Sequence, residues 1–223
     1  MRKIAIAIDG PAGAGKSTMA RACAKALGYL YVDTGAIYRT VGYYMRLMGI
    51  GPKDKDGIAR LIDEVNIEIR YEDGVQHMIL NGKDVTDEIR TPEMSMYASG
   101  VSAQPCVRAF LLDMQRELAR TQNVVIDGRD IGTVVLPNAQ VKIFLTADVR
   151  VRAERRLAEL QAKGEKTSLQ KVLAEMQARD KQDSERAAAP LRQAKDAVLL
   201  DTSALTPEAA VDAILAIVRG KLA

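Results

Sequence analysis

The sequence predicts an α/β fold: a five-stranded parallel sheet flanked by helices. Three observations carry that prediction. Short β-branched apolar runs alternate with stretches of helical apolar spacing. The first run leads directly into Gly10-Pro11-Ala12-Gly13-Ala14-Gly15-Lys16-Ser17, a glycine-rich turn set between a strand and a helix. An alternating hairpin interrupts the rhythm once, as an insertion into a parallel sheet would.

In chain order, Lys3–Ile8 reads as the first strand and ends at Asp9-Gly10-Pro11. Lys16–Leu27 has helical spacing, and Gly28 is placed to end that helix at a left-handed position. Tyr29–Val32 is the second buried strand and stops at Asp33. Ala36–Met48 is helical and stops at Gly49. Asp56–Glu64 is a short helix. Asn66–Tyr71 and Val75–Leu80 then alternate in polarity on either side of Glu72-Asp73-Gly74, a strong hairpin signal. Asn81-Gly82 turns the chain before a brief Asp84–Val85 segment. Helices follow at Glu93–Ser102 and Val107–Arg120, with Pro92 and Pro105 near their starts. The α/β pattern resumes with strands Asn123–Ile126 and Val141–Leu145, helices Arg150–Gln161 and Leu169–Arg186, and strand Ala197–Leu200. A final helix opens at Thr206-Pro207-Glu208. The inserted unit spans 52–104. Sheets of this kind bind ligands at the carboxyl ends of their strands. Chemistry is therefore sought at Gly10–Ser17, Asp33–Arg39, Asp127–Asp130 and from Asp148 onward.

Composition narrows the function. A chain of 223 residues that is 48% hydrophobic and 27% charged can bury a substantial core. Its net charge of +3 is low for a protein living on a nucleic-acid surface, and nine aromatics without tryptophan leave few stacking platforms for single strands. The charge is distributed in blocks. Residues 1–49 carry 7 basic and 2 acidic groups, residues 50–100 carry 6 and 11, and residues 150–195 carry 12 and 7. A small, locally held polyanion fits this better than a polymer. No run reaches 18 apolar residues, which argues against a membrane span. The run before Asp9 is too short for a signal segment, so a cytoplasmic location is expected. Cys23, Cys106 and the single His77 cannot build a zinc site of ordinary spacing, and both cysteines read as apolar packing positions. His77 lies in a predicted strand and is a poor candidate for nucleophilic catalysis.

Residues 10–17 match GxxxxGK[ST], with Thr18 following. Residues without Cβ let backbone N–H groups close around phosphate oxygens, and the helix beginning at Lys16 adds its positive end. Lys16 supplies a point charge to the β/γ oxygens, and the Ser17 hydroxyl can ligate Mg²⁺. Gly10, Pro11, Ala12, Gly13, Ala14, Gly15, Lys16, Ser17 and Thr18 thus form a phosphate site for a nucleoside triphosphate, which the resemblance below makes ATP. The loop alone does not separate a small-molecule kinase from a switch, a helicase or a transporter ATPase. No guanine-reading Asn/Thr-Lys-x-Asp and no Leu-Ser-Gly-Gly-Gln occurs, and the chain is short for a helicase module.

Phosphoryl transfer needs positioning and charge neutralisation more than covalent help. Arginine suits that task because its planar fork grips phosphate bidentately. Of the 32 basic residues, 19 are Arg, and several fall at predicted strand ends. Asp33-Thr34-Gly35-Ala36-Ile37-Tyr38-Arg39 and Asp127-Gly128-Arg129-Asp130-Ile131-Gly132-Thr133 both pair carboxylates with Arg and Gly after a strand. Each alone reads as a capped turn with a surface ion pair. Together, beside the phosphate loop, they point to a second anionic ligand.

With these motifs, Glu88-Ile89-Arg90-Thr91 and the Arg179-Asp180…Asp183-Ser184-Glu185-Arg186 helix, the chain resembles the bacterial cytidylate kinases over essentially its whole length. The resemblance implies a P-loop NTPase fold in which 52–104 is an inserted nucleoside-monophosphate-binding domain and 150–168 a lid closing over ATP. It implies that Arg39, Arg129 and Arg186 grip the CMP phosphate or the transferring group alongside Lys16. It further implies that Ser99, Arg108 and Asp130 read the cytosine edge, and that Arg179 and Asp183 hold the pentose. Thr34 stands where many members have serine, with the hydroxyl kept. In the lid, Arg152, Arg155 and Arg156, with Lys163 and Lys166, form the second basic block, which without the resemblance reads as a solvated helix face. The expected activity is transfer of the γ-phosphoryl of MgATP to CMP or dCMP in pyrimidine nucleotide metabolism, by a monomer. Ser17 holds Mg²⁺ and Asp127 assists through water. The competing readings are a kinase for another monophosphate such as UMP, and a nucleotide switch or nucleic-acid-associated ATPase.

Overall fold

The computed structural model describes residues 3–162 and 164–223. Strands β1 (Ala5–Asp9), β2 (Leu30–Asp33), β6 (Val124–Gly128), β7 (Val141–Thr146) and β8 (Val198–Asp201) form one parallel sheet in the order β2-β6-β1-β7-β8. Between β2 and β6, β3 (Ile67–Glu72), β4 (Val75–Leu80) and β5 (Lys83–Asp84) form an antiparallel sheet. The helices are α1 (Lys16–Leu27), α2 (Thr34–Leu47), α3 (Lys55–Leu61), α4 (Pro92–Val101), α5 (Pro105–Thr121), α6 (Val149–Ala162), α7 (Leu169–Glu185) and α8 (Pro207–Leu222).

The period of two along each strand sorts the core into two layers. Ala5, Ala7, Val124 and Ile126 face α2 and α5. Ile6, Ile8, Val125, Val141 and Ile143 face α1 and α8. Central strands covered on both faces read as unbroken apolar runs, as β1 and β6 do. The inserted segment has no core separate from the sheet. Its Ile58, Ile62, Met78, Leu80 and Ile89 belong to the same buried cluster as Val32 and Ile126. The insertion also covers the open edge of β2: the Tyr71 hydroxyl donates to Tyr31 O at 3.0 Å, and the Gln76 side chain accepts from Asp33 N at 2.8 Å. Helices α6 and α7 differ, sharing a small cluster of Ala153, Leu160, Val172 and Met176.

Several boundaries depart from the sequence reading for local reasons. β1 begins two residues late because Asn123 Oδ1, not a strand partner, accepts from Ile4 N. α2 begins at Thr34, since Asp33 is its cap and accepts from Ala36 N at 2.8 Å. The helix expected over Asp56–Glu64 divides into α3 and a 3₁₀ turn at Ile62–Glu64. Another 3₁₀ turn at Glu88–Arg90 and a wide π-type turn at Ile131–Val135 were not expected. Of the predicted basic block, Lys163 lies outside the described residues. Among the described residues no helix is long and apolar enough to cross a membrane.

Candidate active site

The phosphate loop is held open by its own geometry. Gly10, at φ 151°, packs so tightly that a Cβ there would lie 1.9 Å from Leu145 O. Gly15, at φ 82°, caps α1 without a side chain. Lys16 is buried and donates to Pro11 O at 2.6 Å, folding over the loop it belongs to. Burial and the nearby Arg129 hold its ammonium well below the ordinary lysine value, with Asp127 opposing. At the end of β6, Asp127 accepts from the Ser17 hydroxyl at 2.8 Å and from Tyr31 OH at 2.9 Å. Burial pushes this carboxyl up to about 6, and the charge of Asp33 adds to the rise. The Ser17 hydroxyl thus directs its hydrogen at Asp127, which leaves the hydroxyl lone pairs for another partner. One hydroxyl backed by one carboxylate suits Mg²⁺, which keeps several waters and takes its other ligands from substrate phosphates.

A second constellation adjoins the loop. Arg108 from α5 and Arg186 after α7 converge on Asp130, Arg186 at 3.2 Å, and all three side chains are nearly inaccessible to water. Arg108 also lies 5.7 Å from the Tyr38 ring centroid and donates to Ser102 O. Burial raises the Asp130 carboxyl despite the two guanidiniums, and burial likewise lowers Arg186. Arg129 Nε donates to Asp183 at 2.8 Å. Burial would raise Asp183, but Arg129 and Arg179 more than offset it and hold it below the ordinary range. Burial together with Arg129 pushes Arg179 down to about 10. The Thr34 hydroxyl donates to Asp127 O at 2.7 Å, and its side chain adjoins Gly128.

Among the described residues six buried side-chain polar atoms have no partner, and Arg39 Nε, Arg179 Nε, Ser99 Oγ and Asp180 Oδ1 are four of them. Buried groups are rarely left unpaired unless something else satisfies them. Arg39, Arg90 and Arg156 also line a small cavity of about 120 Å³ with Pro92, Ser95 and Glu165. It joins α2, the insertion and the α6–α7 region. A larger cleft of about 550 Å³, lined by Lys3, Arg116 and Leu136 among others, opens at the amino ends of β1 and β7, the opposite end of the sheet from the phosphate loop.

The expected residues are therefore gathered, with Arg155 the exception. Arg152 is buried and donates to Ala147 O, to Ala12 O and to Asp180. Arg156 reaches the small cavity and pairs with Glu159. Arg155 is turned to Thr202 O at 2.7 Å, at the carboxyl end of β8. The sequence reading gave no role to three residues that the fold places here. Asp33 accepts from both Arg39 and Arg90 at 3.0 Å. Burial raises its carboxyl, yet these two guanidiniums and the Ala36 N–H bring it below the ordinary value. Arg90 was visible in Glu88-Ile89-Arg90-Thr91, but a lone Arg in a turn carries no local signal. Asp9, at the end of β1, accepts from Ile131 N and Gly132 N. His77 pairs instead with Asp84 in the small sheet.

A triphosphate loop facing converging arginines defines a class of protein: kinases that move a phosphoryl group onto a second, anionic substrate. The family model for cytidylate kinase matches residues 6–220, and the chain belongs to the cytidylate kinase family. It is 54% identical over 164 residues to the cytidylate kinase of Caldicellulosiruptor bescii, covering 74% of this chain and 73% of that one. It is 52% identical over 167 residues to that of Carboxydothermus hydrogenoformans, covering 75% of each. Among solved structures, an uncharacterized protein from Eubacterium ventriosum shares the fold, with a TM-score of 0.54, 14% identity and coverage of 97% of this chain and 99% of that chain.

Proposed function

We propose that this chain transfers the γ-phosphoryl group of ATP to the phosphate of CMP or dCMP, giving ADP and CDP or dCDP. The observation that carries the reading is the buried Asp130 between Arg108 and Arg186, joined through Ser102 to Ser99, whose hydroxyl has no partner among the described residues. Cytosine offers an exocyclic amine to a carboxylate or hydroxyl, and O2 and N3 to a guanidinium. Uracil lacks the amine and would offer Asp130 and Ser99 no donor from the base.

In this reading Ser99, Arg108 and Asp130 bind the base, and Arg179 and Asp183 bind the pentose. Arg39, Arg129 and Arg186 hold the acceptor phosphate and the transferring group, with Thr34 beside them. Residues 10–18 cradle the ATP phosphates, and Lys16 neutralises charge as the phosphoryl group moves. Mg²⁺, bound at Ser17 with Asp127 behind it, would neutralise the nucleotide phosphates. The acceptor is already an anion, so no general base is assigned; positioning and preorganised charge carry the rate. The cavity lined by Arg39 and Arg156 is far smaller than the ~300 Å³ of ordinary ligand sites. Entry of a nucleotide therefore requires the insertion, 52–104, and the lid, 150–168, to separate and then close, excluding water. Arg152 and Arg156 are the lid residues nearest this space, and Arg155 anchors α6 at the end of β8. The protein acts as a cytoplasmic monomer on small ligands, without a nucleic-acid polymer or a membrane.

A coupled assay of ADP formation against a panel of monophosphates tests this. Mg²⁺-dependent ADP production that requires CMP or dCMP and is much weaker with UMP, AMP or GMP is expected. ADP production stimulated only by DNA or RNA would overturn it.

A further inference from the structure

Asp9 ends β1 and immediately precedes the phosphate loop, yet its carboxylate bonds to the segment after Asp130. Oδ1 accepts from Ile131 N at 2.8 Å and Oδ2 from Gly132 N at 2.7 Å. The residue is 4% exposed. Those two amides directly follow Asp130. They also open the π-type turn, in which the N–H groups of Val134 and Val135 return to Asp130 O and that of Leu136 to Ile131 O. A five-residue turn with i→i+5 bonding leaves its first amides without partners inside the turn. Asp9 supplies both acceptors at once, and a carboxylate does so more strongly than a neutral group. Gly132 is fitted to this contact: a Cβ there would lie 3.3 Å from Asp9 Oδ2 and 3.1 Å from Lys142 Cδ. The other side of Asp9 is fixed as well, because Gly10 packs against Leu145 O.

We infer that Asp9 is the positioning residue for the base-reading carboxylate: by gripping the amides after Asp130 it sets the backbone from which Asp130 meets Arg108 and Arg186, and so governs the choice of nucleobase. The inference rests on the proposed function. Asp9 itself touches neither nucleotide. It acts by holding one backbone segment, and through Gly10 it ties that segment to the start of the phosphate loop.

The test compares wild type with Asp9→Asn and Gly132→Ala. Asparagine keeps the shape but turns one N–H···O contact into an N–H facing an N–H₂. Alanine keeps the charge, and its Cβ, 3.3 Å from Oδ2, presses on the carboxylate by a few tenths of an ångström. KM for CMP, UMP and ATP and the CMP/UMP ratio of kcat/KM are measured, with circular dichroism to establish folding. Asp9→Asn is expected to raise the CMP KM and lower the CMP/UMP ratio, each by about 10-fold, with the ATP KM within about twofold. Gly132→Ala is expected to show the same split, less strongly. A folded Asp9→Asn with an unchanged CMP/UMP ratio overturns the inference, as does an equal rise in the CMP and ATP KM values. If Asp9→Asn does not fold, an unchanged ratio in Gly132→Ala overturns it. A wild-type chain that fails to prefer CMP removes the functional reading, and the inference with it, before any variant is compared.

Discussion

At the scale of single residues, the site consists of cations whose charge is only partly matched. Lys16, Arg39, Arg90, Arg108, Arg129, Arg179 and Arg186 share five buried carboxylates, Asp9, Asp33, Asp127, Asp130 and Asp183. The excess is positive and lies where anionic phosphates would add the missing charge. Lys16→Ala should lower kcat by about 10²-fold or more with the fold intact, because it removes a transition-state cation while relieving a buried charge. Substantial turnover in the folded variant would count against that role. Asp130→Ala should relax CMP-over-UMP discrimination while leaving ATP binding nearly unchanged, read from the two kcat/KM values and the ATP KM. A pH effect belongs to this scale too. Burial raises Asp9 from 3.8 to about 6, against the Gly132 and Ile131 amides and Lys16 and together with Asp130. The folded state therefore holds this proton more tightly than the unfolded chain. The contribution is fully present below about pH 4 and is lost as pH rises through about 6. The stability of wild type relative to Asp9→Asn should fall by up to about 3 kcal/mol across that window and stay flat above it. Urea unfolding at stepped pH measures this, and a difference that grows with pH would contradict it.

Among the elements, α6 and α7 stand apart. Their apolar contacts form a small cluster of their own, and much of what joins them to the rest is polar: Arg152 to Ala12 O, Arg129 to Asp183, Arg155 to Thr202. Elements with few buried apolar contacts open more readily than core strands. Backbone amides of α6 and α7 should exchange hydrogen faster than those of β1 and β6. They should slow when CMP and a non-hydrolysable ATP analogue are both bound. Exchange in α6 and α7 as slow as in β1 would argue against a lid. The charged face of α6 was legible in the sequence, but Arg152, Arg155 and Arg156 could not be told apart there. Their fates depend on what each meets across the fold: a loop carbonyl, the end of β8, or a cavity.

For the molecule as a whole, the insertion and the parent sheet share one buried cluster. Ile58 and Met78 from the insertion pack in the same core as Val32 and Ile126. Cooperative unfolding follows from shared burial. A single thermal transition is expected, and Ile58→Ala, at a fully buried position, should lower the stability of the entire chain by about 2–5 kcal/mol. Two separated transitions, with only the first moved by Ile58→Ala, would show that the insertion folds alone. The hairpin was plain from Asp73-Gly74 between alternating runs. Its seating against the β2 edge was not, because that depends on Gln76 and Tyr71 reaching backbone groups that belong to another part of the chain.

The phosphate loop, the alternation of strands and helices, the hairpin and the clustering of arginine at strand ends follow from the sequence alone. Each rests on short-range rules: side-chain period, glycine conformation, caps and turns. The tertiary structure alone decided which charges meet. Asp130 takes Arg108 from 22 residues away and Arg186 from 56, and Asp9 reaches an amide 122 residues distant. No local periodicity encodes such pairings. They arise because parallel strands bring their carboxyl ends to one edge, and burial there makes each unpaired charge costly enough that the chain must supply a partner from elsewhere.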